Sequence, residues 1–350
     1  MSLLQSLLHL TNFKSPLLRT LVPAVSAAYA IQAAFALPSI LAQNERFYDF
    51  SGSLTYLSVT ALSLYLPALR AKYTPALANA STSLPSLLAP FTSPGGVGAL
   101  NWRQVVLSGA VIFWAIRCKS LSLKTCQYNL ETSTYMPIHS VGSYLFQRIL
   151  EEGKDSRFDE IKKSPAKFAG AFFAQATWVS LCLMPVITLN AVPASAFAAL
   201  PVFKASDALG LLVYVAGFAF EITADRQKSK WLRERREKIH DEQFMTSGLW
   251  SVSQYPNYFG EISLWTGIAT AAAGTLVSKP IQMALGLSGG VAGPLTAVTL
   301  SYVSPAFVNF LLLKVSGVPL SEKKYDKRYG DRKDYQEWKK NTPKLFPKIF

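Results

Sequence analysis

Long apolar runs, separated by shorter polar segments, dominate the pattern of this chain. They cover residues 21–42, 54–69, 105–116, 168–192, 208–220, 258–277 and 281–313. Three of these runs have 22 residues or more, and at about 1.5 Å per residue a helix of that length crosses a hydrocarbon core of about 30 Å. Glycines and prolines in the last run predict that it breaks into two pieces. The pattern predicts an all-α, polytopic transmembrane helical bundle of about seven spans, within a range of six to eight.

The composition agrees with a membrane protein and excludes several other classes. Half of the 350 residues are hydrophobic, 16% are charged and the mean hydropathy is +0.21, whereas soluble domains carry about 25% charged residues. So much apolar surface excludes an intrinsically disordered chain. Three cysteines are too few for a disulfide-stapled secreted module. The three histidines have no acidic or histidine partner at ligand spacing, so we predict no metal site.

The net charge of +14 is concentrated in three blocks. Of the 35 lysines and arginines, 25 lie in residues 118–167, 225–257 and 315–350. The intervening loops, 191–206 and 278–290, carry one lysine each. By the positive-inside rule, the basic blocks and the C-terminal tail are predicted to be cytosolic. Membrane lipid is a predicted partner of such blocks, and nucleic acid is not, because no recognition fold accompanies the charge.

Polar groups that could do chemistry are concentrated between residues 218 and 265. Glu221, Asp225 and Lys228 are spaced i, i+4, i+7 and therefore share one helix face. Glu221 ends one apolar run and Glu261 lies inside the next, and an ionisable group at membrane depth is costly enough to indicate a site. Facing carboxylates beside Lys228 would form a polar pocket. The alternative is that Glu221 and Asp225 face water at a helix end.

Four glycines lie close together in the last apolar run, at positions 286, 289, 290 and 293. Their spacing resembles a small-residue helix interface, which lets two backbones approach closely. They are not a dinucleotide-binding fingerprint, because no strand precedes them.

A series of short motifs follows in order through the second half of the chain. They read D-S-R-F at 155–158, Q-A-T-W at 175–178 with L-N at 189–190, A-D-R-Q-K at 224–228, G-L-W at 248–250, S-Q-Y-P-N-Y-F-G-E at 253–261 and V-S-G-V-P-L-S-E at 315–322. Together they resemble the DUF1295 group of the steroid 5α-reductase superfamily. The resemblance divides the chain into unassigned N-terminal transmembrane helices, 1–140, and a reductase-like membrane domain with a C-terminal cofactor pocket, 141–350.

The resemblance implies a membrane-embedded, NADPH-dependent oxidoreductase that reduces an activated C=C bond of a lipophilic steroid, sterol or enoyl-lipid substrate. It also implies an endoplasmic reticulum location and a cofactor pocket open to the cytosol. Carried over by motif, the catalytic candidates are Glu221, Tyr258 and Glu261, one of which would donate the proton. The cofactor-binding candidates are Arg157, Asp225, Gln227, Lys228, Gln254, Asn257, Tyr258, Glu322 and Tyr335.

The chain departs from the family pattern at two adjacent positions. Gln254 and Tyr255 stand where the family usually has Arg and His. The loss of one charge-assisted hydrogen bond costs about 1.5–3 kcal/mol, or about one to two decades of cofactor affinity. Two alternatives therefore stay open: an enzyme that resembles isoprenylcysteine carboxyl methyltransferases and uses S-adenosylmethionine, or a non-catalytic lipid-binding or scaffold protein. The sequence identifies neither the substrate nor the oligomeric state.

Overall fold

The computed structural model of the chain describes residues 3–73, 86–88, 91, 100–127 and 158–348, and this part contains helices and turns but no strands. The α-helices of the described residues are α1 Leu3–Leu10, α2 Pro16–Leu41, α3 Tyr48–Lys72, α4 Trp102–Gln127, α5 Pro165–Asn190, α6 Ala205–Arg236, α7 Leu249–Val252, α8 Pro256–Leu276, α9 Lys279–Leu285, α10 Ala292–Phe310, α11 Val318–Tyr329 and α12 Lys333–Asn341. A 3-10 segment, Ala194–Ala199, follows α5, and a π-helical segment, Leu311–Val315, follows α10.

Several of these helices match the predicted membrane spans. Five stretches are long and apolar enough to cross a membrane: Pro16–Leu41, Tyr48–Arg70, Pro165–Asn190, Ala205–Arg236 and Ala292–Tyr329. Trp102–Ile116 is a shorter apolar stretch, and α8 adds a further helix of 21 residues. Each predicted apolar run falls on one of these helices, except that the last also includes α9. The prediction of an all-helical, polytopic bundle is confirmed.

The helices extend beyond the apolar runs that predict them. The second and third runs are too short to span alone, yet they belong to helices of 25 and 26 residues. Proline at the first turn of α2 starts that helix earlier than its apolar run, because the fixed φ of proline suits the first helical position. Charged residues in the first and last turns of α3, Asp49, Arg70 and Lys72, extend it at both ends.

The predicted break in the last apolar run is confirmed, but the predicted glycine interface is wrong. Gly286 ends α9 with a left-handed φ of 72°, a conformation that glycine adopts without steric cost. Gly289 and Gly290 lie in the turn that follows, and Gly293 lies in the first turn of α10. These glycines therefore terminate and restart helices and do not line one helix face.

The contacts divide the chain into two compact units, residues 1–200 with 278–294 and residues 201–277 with 295–350. The division at residue 140, which follows the family resemblance, stays a prediction.

In the first unit, buried amides of two motif residues join neighbouring helices. Ser51 Oγ of α3 lies within hydrogen-bond distance of both Gln175 Oε1, at 3.1 Å, and Gln32 Oε1, at 3.2 Å, and Gln32 Nε2 donates to the hydroxyl of Thr55 in the same helix. Asn190 Nδ2 donates to Ser63 Oγ at 3.0 Å and to Ser108 Oγ at 3.1 Å. Because lipid offers no hydrogen bonds, such pairs hold polar groups inside a bundle. The Q-A-T-W and L-N motifs therefore have an interhelical role.

In the second unit, α6 and α8 form a closely packed antiparallel pair. A Cβ on Gly210 would lie 2.6 Å from the backbone N of Ala271, one on Gly217 would lie 2.6 Å from that of Leu264, and one on Gly260 would lie 2.6 Å from that of Glu221. The contacts run in opposite directions along the two helices. Only glycine allows the backbones to meet at these points.

Candidate functional site

The α6 and α8 pair places its polar residues at one end of two apolar helices. The apolar run of α6 ends at Phe220, and the first turns of α8 start at Pro256. Glu221 is buried where α6 meets the backbone of Gly260. Asp225 lies one turn farther along α6, and Glu261 follows Gly260 directly. The glycine contact therefore fixes the level at which the acidic residues of both helices come together.

Two carboxylates and one phenol form the centre of the candidate site. The charge of Asp225 acts on Glu261, and the charges of both act on Tyr258. Asp225 is thus an acidic neighbour of Glu261 on the facing helix. The helical spacing of Asp225 from Lys228 brings the lysine to the same face, as predicted.

Tyr258 is held on two sides. Its ring stacks on that of Tyr255, with centroids 5.3 Å apart and an interplanar angle of 2°. Its side chain hydrogen-bonds that of Ser321 in α11. A Cβ on Gly317 would lie 2.9 Å from Tyr258 Cε2, so the start of α11 closes against the ring. Ser321 and Tyr255 position the phenol, and the sequence analysis assigned neither of them a site role.

Lys228 contacts an aromatic ring and interacts with charged groups on two helices. Lys228 Nζ lies 4.7 Å from the centroid of the Trp250 ring, a cation–π contact. The charge of Lys324 in α11 also acts on Lys228. Trp250 is itself anchored, because its Nε1 donates to Ala224 O at 3.1 Å. The two lysines supply positive charge that favours an anionic ligand.

Gln227 supports the turn that carries Trp250. Its Oε1 accepts a hydrogen bond from Leu249 N at 2.9 Å. Gly248, at φ 61°, lies against the same amide, where a Cβ would come within 2.6 Å of Oε1. The structure therefore gives Gln227 a positioning role within the G-L-W turn, and its predicted cofactor contact has no support from this geometry.

Gln254 binds the C-terminal tail. Its Nε2 donates to Lys339 O at 2.9 Å and to Thr342 O at 2.6 Å. Its backbone N donates to Pro343 O, and Tyr255 N donates to Lys344 O. The side chain that replaces the family arginine is thus buried, and its amide nitrogen donates to two backbone carbonyls of the tail.

The remaining tail candidates also lie within the tail packing. Glu322 Oε1 lies 2.8 Å from Lys344 Nζ. Tyr335 donates its hydroxyl to Asp326 Oδ1 at 2.9 Å and packs against Phe244. Burial and this hydrogen bond raise the pKa of Tyr335 above its ordinary value, so the phenol stays neutral. Arg157 lies outside the described residues.

Asn257 offers an acceptor to a ligand. It lies in the first turn of α8, beside Tyr258. Its Oδ1 is buried and has no hydrogen-bond partner within the part of the chain that the structure describes. A buried carbonyl oxygen without a donor costs about 1–3 kcal/mol, so a ligand N–H or O–H that reached it would gain affinity.

Gln254→Leu should release the tail. The change leaves two carbonyls in the tail without their donor, at a cost of about 1–3 kcal/mol. We expect faster trypsin cleavage after the lysines at 339, 340 and 344 in detergent-solubilised protein, measured by mass spectrometry of the fragments. Gln336→Leu, on the exposed face of α12, is the matched control: it also removes one hydrogen bond, to Gly330 O before α12, and should leave cleavage after these three lysines unchanged. Equal cleavage of both variants would contradict the anchoring role of Gln254.

Comparison with known proteins identifies the family. A family model described as "Protein of unknown function (DUF1295)" matches residues 139–342, more than half of the chain. The chain belongs to the DUF1295 family. The match contains every candidate site residue named above. No curated protein and no solved structure matches the chain, so the activity of this DUF1295 protein has to be argued from its site.

Proposed function

We propose that this DUF1295 protein is a membrane-embedded, NADPH-dependent oxidoreductase that reduces an activated C=C bond of a lipophilic substrate. The observation that carries the proposal is the cluster of Asp225, Lys228, Tyr258 and Glu261 at the polar end of an apolar helix pair. An anionic, water-soluble cofactor would reach such a cluster from the aqueous side, and a lipophilic substrate would reach it from the bilayer. The resemblance to the steroid 5α-reductase superfamily supports the reaction type.

The polar groups of the cluster fit the cofactor chemically. Ribose hydroxyls and the nicotinamide carboxamide are hydrogen-bond donors, and Asn257 Oδ1 is a buried acceptor without a donor. The carboxylates of Asp225 and Glu261 are further acceptors. Lys228 and Lys324 supply positive charge for phosphate, which Lys binds as a point charge. NADPH, when bound, supplies a hydride, and the task of the protein is to position it.

The proton would come from a side chain that is neutral at pH 7. Tyr258 meets this requirement because a phenol is protonated at neutral pH, and its ring is fixed by Tyr255 and Ser321. We therefore assign proton donation to Tyr258 among the three catalytic candidates. We assign Glu221 to packing against Gly260. We assign Glu261 to accepting hydrogen bonds from the cofactor.

The proposed membrane arrangement follows the charge. The basic segment of α6, the tail helices and the site share one compact unit, so we propose that they face the cytosol. We propose the endoplasmic reticulum as the location, on the strength of the family resemblance alone.

NADPH binding to the detergent-purified protein tests the proposal. A ligand that binds the folded state at 100 times its Kd stabilises it by about 2.7 kcal/mol, which raises the melting temperature. Lys228→Ala and Asn257→Ala should each weaken NADPH binding, the lysine change by about 10- to 100-fold. Lys230→Ala is the matched control, because this lysine is on the same helix with a side chain that is 66% exposed. NADH and S-adenosylmethionine are compared in the same assay.

A non-catalytic lipid-binding or scaffold role is the second candidate. It is favoured by Gln254, which replaces a cation and has both amide hydrogens engaged with the tail. The absence of any shift with NADPH, NADH or S-adenosylmethionine in folded protein would favour this role and overturn the reductase. A shift with S-adenosylmethionine alone would favour a methyltransferase.

A further inference from the structure

Three phenylalanines mark one level of the second unit. The rings of Phe220 in α6 and Phe259 in α8 meet edge to face at 5.3 Å, and the ring of Phe346 in the tail meets that of Phe259 at 5.8 Å. Beyond Phe220, α6 changes from apolar to charged residues, and before Phe259, α8 begins. The level of these rings is therefore the boundary between the apolar and the charged parts of the helix pair.

The tail is tied to this level by its backbone. Tyr255 N donates to Lys344 O at 3.1 Å, and Lys348 N donates to Val252 O at 2.9 Å. Between them, Ser253 Oγ donates to Leu345 O at 2.9 Å. This pairing turns Leu345 inward, where it is 8% exposed, and turns Phe346 outward, where it is 73% exposed.

Lysines flank Phe346 along the chain. Lys344 precedes and Lys348 follows Phe346, and both are exposed. Lys344 is engaged with Glu322, whereas Lys348 extends from the end of the tied segment. Lys314, also exposed, follows the last apolar run and lies within the π-helical segment Leu311–Val315. Three residues later, Gly317 packs against the ring of Tyr258.

We propose that residues 344–348 form a membrane-surface anchor, in which Phe346 inserts at the headgroup level and Lys348, together with Lys314, binds the headgroups of anionic phospholipids. An aromatic ring exposed at the apolar–polar boundary is typical of the interfacial belt of membrane proteins. Lysines at that depth attract anionic lipid with about 1 kcal/mol each. The proposal depends on the membrane placement of α6, α8 and α10 and does not depend on the reductase.

Lipid titration of the intact, detergent-solubilised protein by native mass spectrometry tests the anchor. Phosphatidylserine and phosphatidylcholine are added separately, and the ratio of their affinities is measured. The unmodified chain should prefer phosphatidylserine. The double variant Lys314→Gln/Lys348→Gln should reduce that preference by about 30-fold, which corresponds to two lysines of about 1 kcal/mol each. Phe346→Ala should weaken the binding of both lipids.

Lys279→Gln is the matched control, because this exposed lysine follows the other end of α8. It should leave the affinity ratio unchanged. Equal affinity of the unmodified chain for the two lipids would overturn the proposal, as would an equal loss of preference in the double variant and the control. All substituted lysines are on the surface, so a melting curve of each variant should match that of the unmodified protein.

Discussion

The Gly217→Ala variant is expected to unfold at a markedly lower temperature than the unmodified chain. A Cβ at this position would lie 2.6 Å from Leu264 N, 2.8 Å from Gly260 O and 2.8 Å from the Cβ of Ser263. Two of these three atoms belong to the backbone of α8, so no side-chain rotation relieves the overlap. The two helices have to separate, which removes their close contact over several turns. Overpacking costs about 1–3 kcal/mol and more where the backbone is the obstacle.

The matched control for this substitution is Gly170→Ala in α5. No atom lies within 4 Å of a Cβ at that position, and alanine is the better helix former by about 1 kcal/mol. Its melting temperature in detergent should equal or exceed that of the unmodified chain, measured by intrinsic fluorescence during heating. If Gly217→Ala and Gly170→Ala have the same melting temperature, the close packing of α6 and α8 is wrong. In Gly260→Ala the new Cβ would lie 2.6 Å from the backbone N of Glu221, so this variant should show a similar decrease in melting temperature.

The membrane-spanning helices of this fold could be predicted because each depends on the length and hydrophobicity of one continuous run of residues. An apolar run of the right length predicts a membrane helix whichever helices pack against it. A glycine that ends α9 predicts the break because the break depends on the backbone conformation of that residue alone. The α6 and α8 pairing is different. Its glycines recur every seven residues, at 210 and 217 and at 260, 267 and 274. The sequence contains this repeat, but a repeat on each helix does not say which two helices meet. The glycines at 286, 289, 290 and 293, whose spacing predicts an interface, instead lie at the ends of helices.

In the candidate site, too, contacts within one helix could be predicted from the sequence and contacts between distant segments could not. Asp225 and Lys228 were predicted to share a face because their separation matches a turn of helix. Gln227 and Gln254 were predicted as cofactor ligands from motif position, and a motif position does not specify which way an amide turns. Gln254 meets Thr342, 88 residues later, and Gln227 meets Leu249, 22 residues later. Contacts at such separations depend on the packed tail, which no local spacing encodes.

Tyr258→Phe should abolish reduction while it leaves NADPH binding intact. The substitution removes one oxygen and keeps the ring that stacks on Tyr255. If the phenol donates the proton to the carbon next to the activating carbonyl, its loss lowers the turnover number by about 10²- to 10⁴-fold. The hydride acceptor is the other carbon of the same double bond, and the phenolate regains its proton from water. The rate is measured as NADPH consumption with a panel of conjugated enone and enoyl lipids.

Tyr255→Phe is the matched control for Tyr258→Phe, because it removes a neighbouring tyrosine hydroxyl that is not the proposed proton donor. Tyr255 is the stacking partner of Tyr258, and burial, reinforced by the charge of Glu322, raises the pKa of its hydroxyl. Because Tyr255 acts on the reaction through the position of Tyr258, loss of its hydroxyl should change the turnover number by less than about 10-fold, far below the effect expected of a general acid. If both variants lose activity equally, the stacked pair of rings has a structural role in the site and Tyr258 is not the proton donor. A normal rate in Tyr258→Phe would exclude the phenol as donor, and Glu261→Gln would then identify the carboxyl that replaces it.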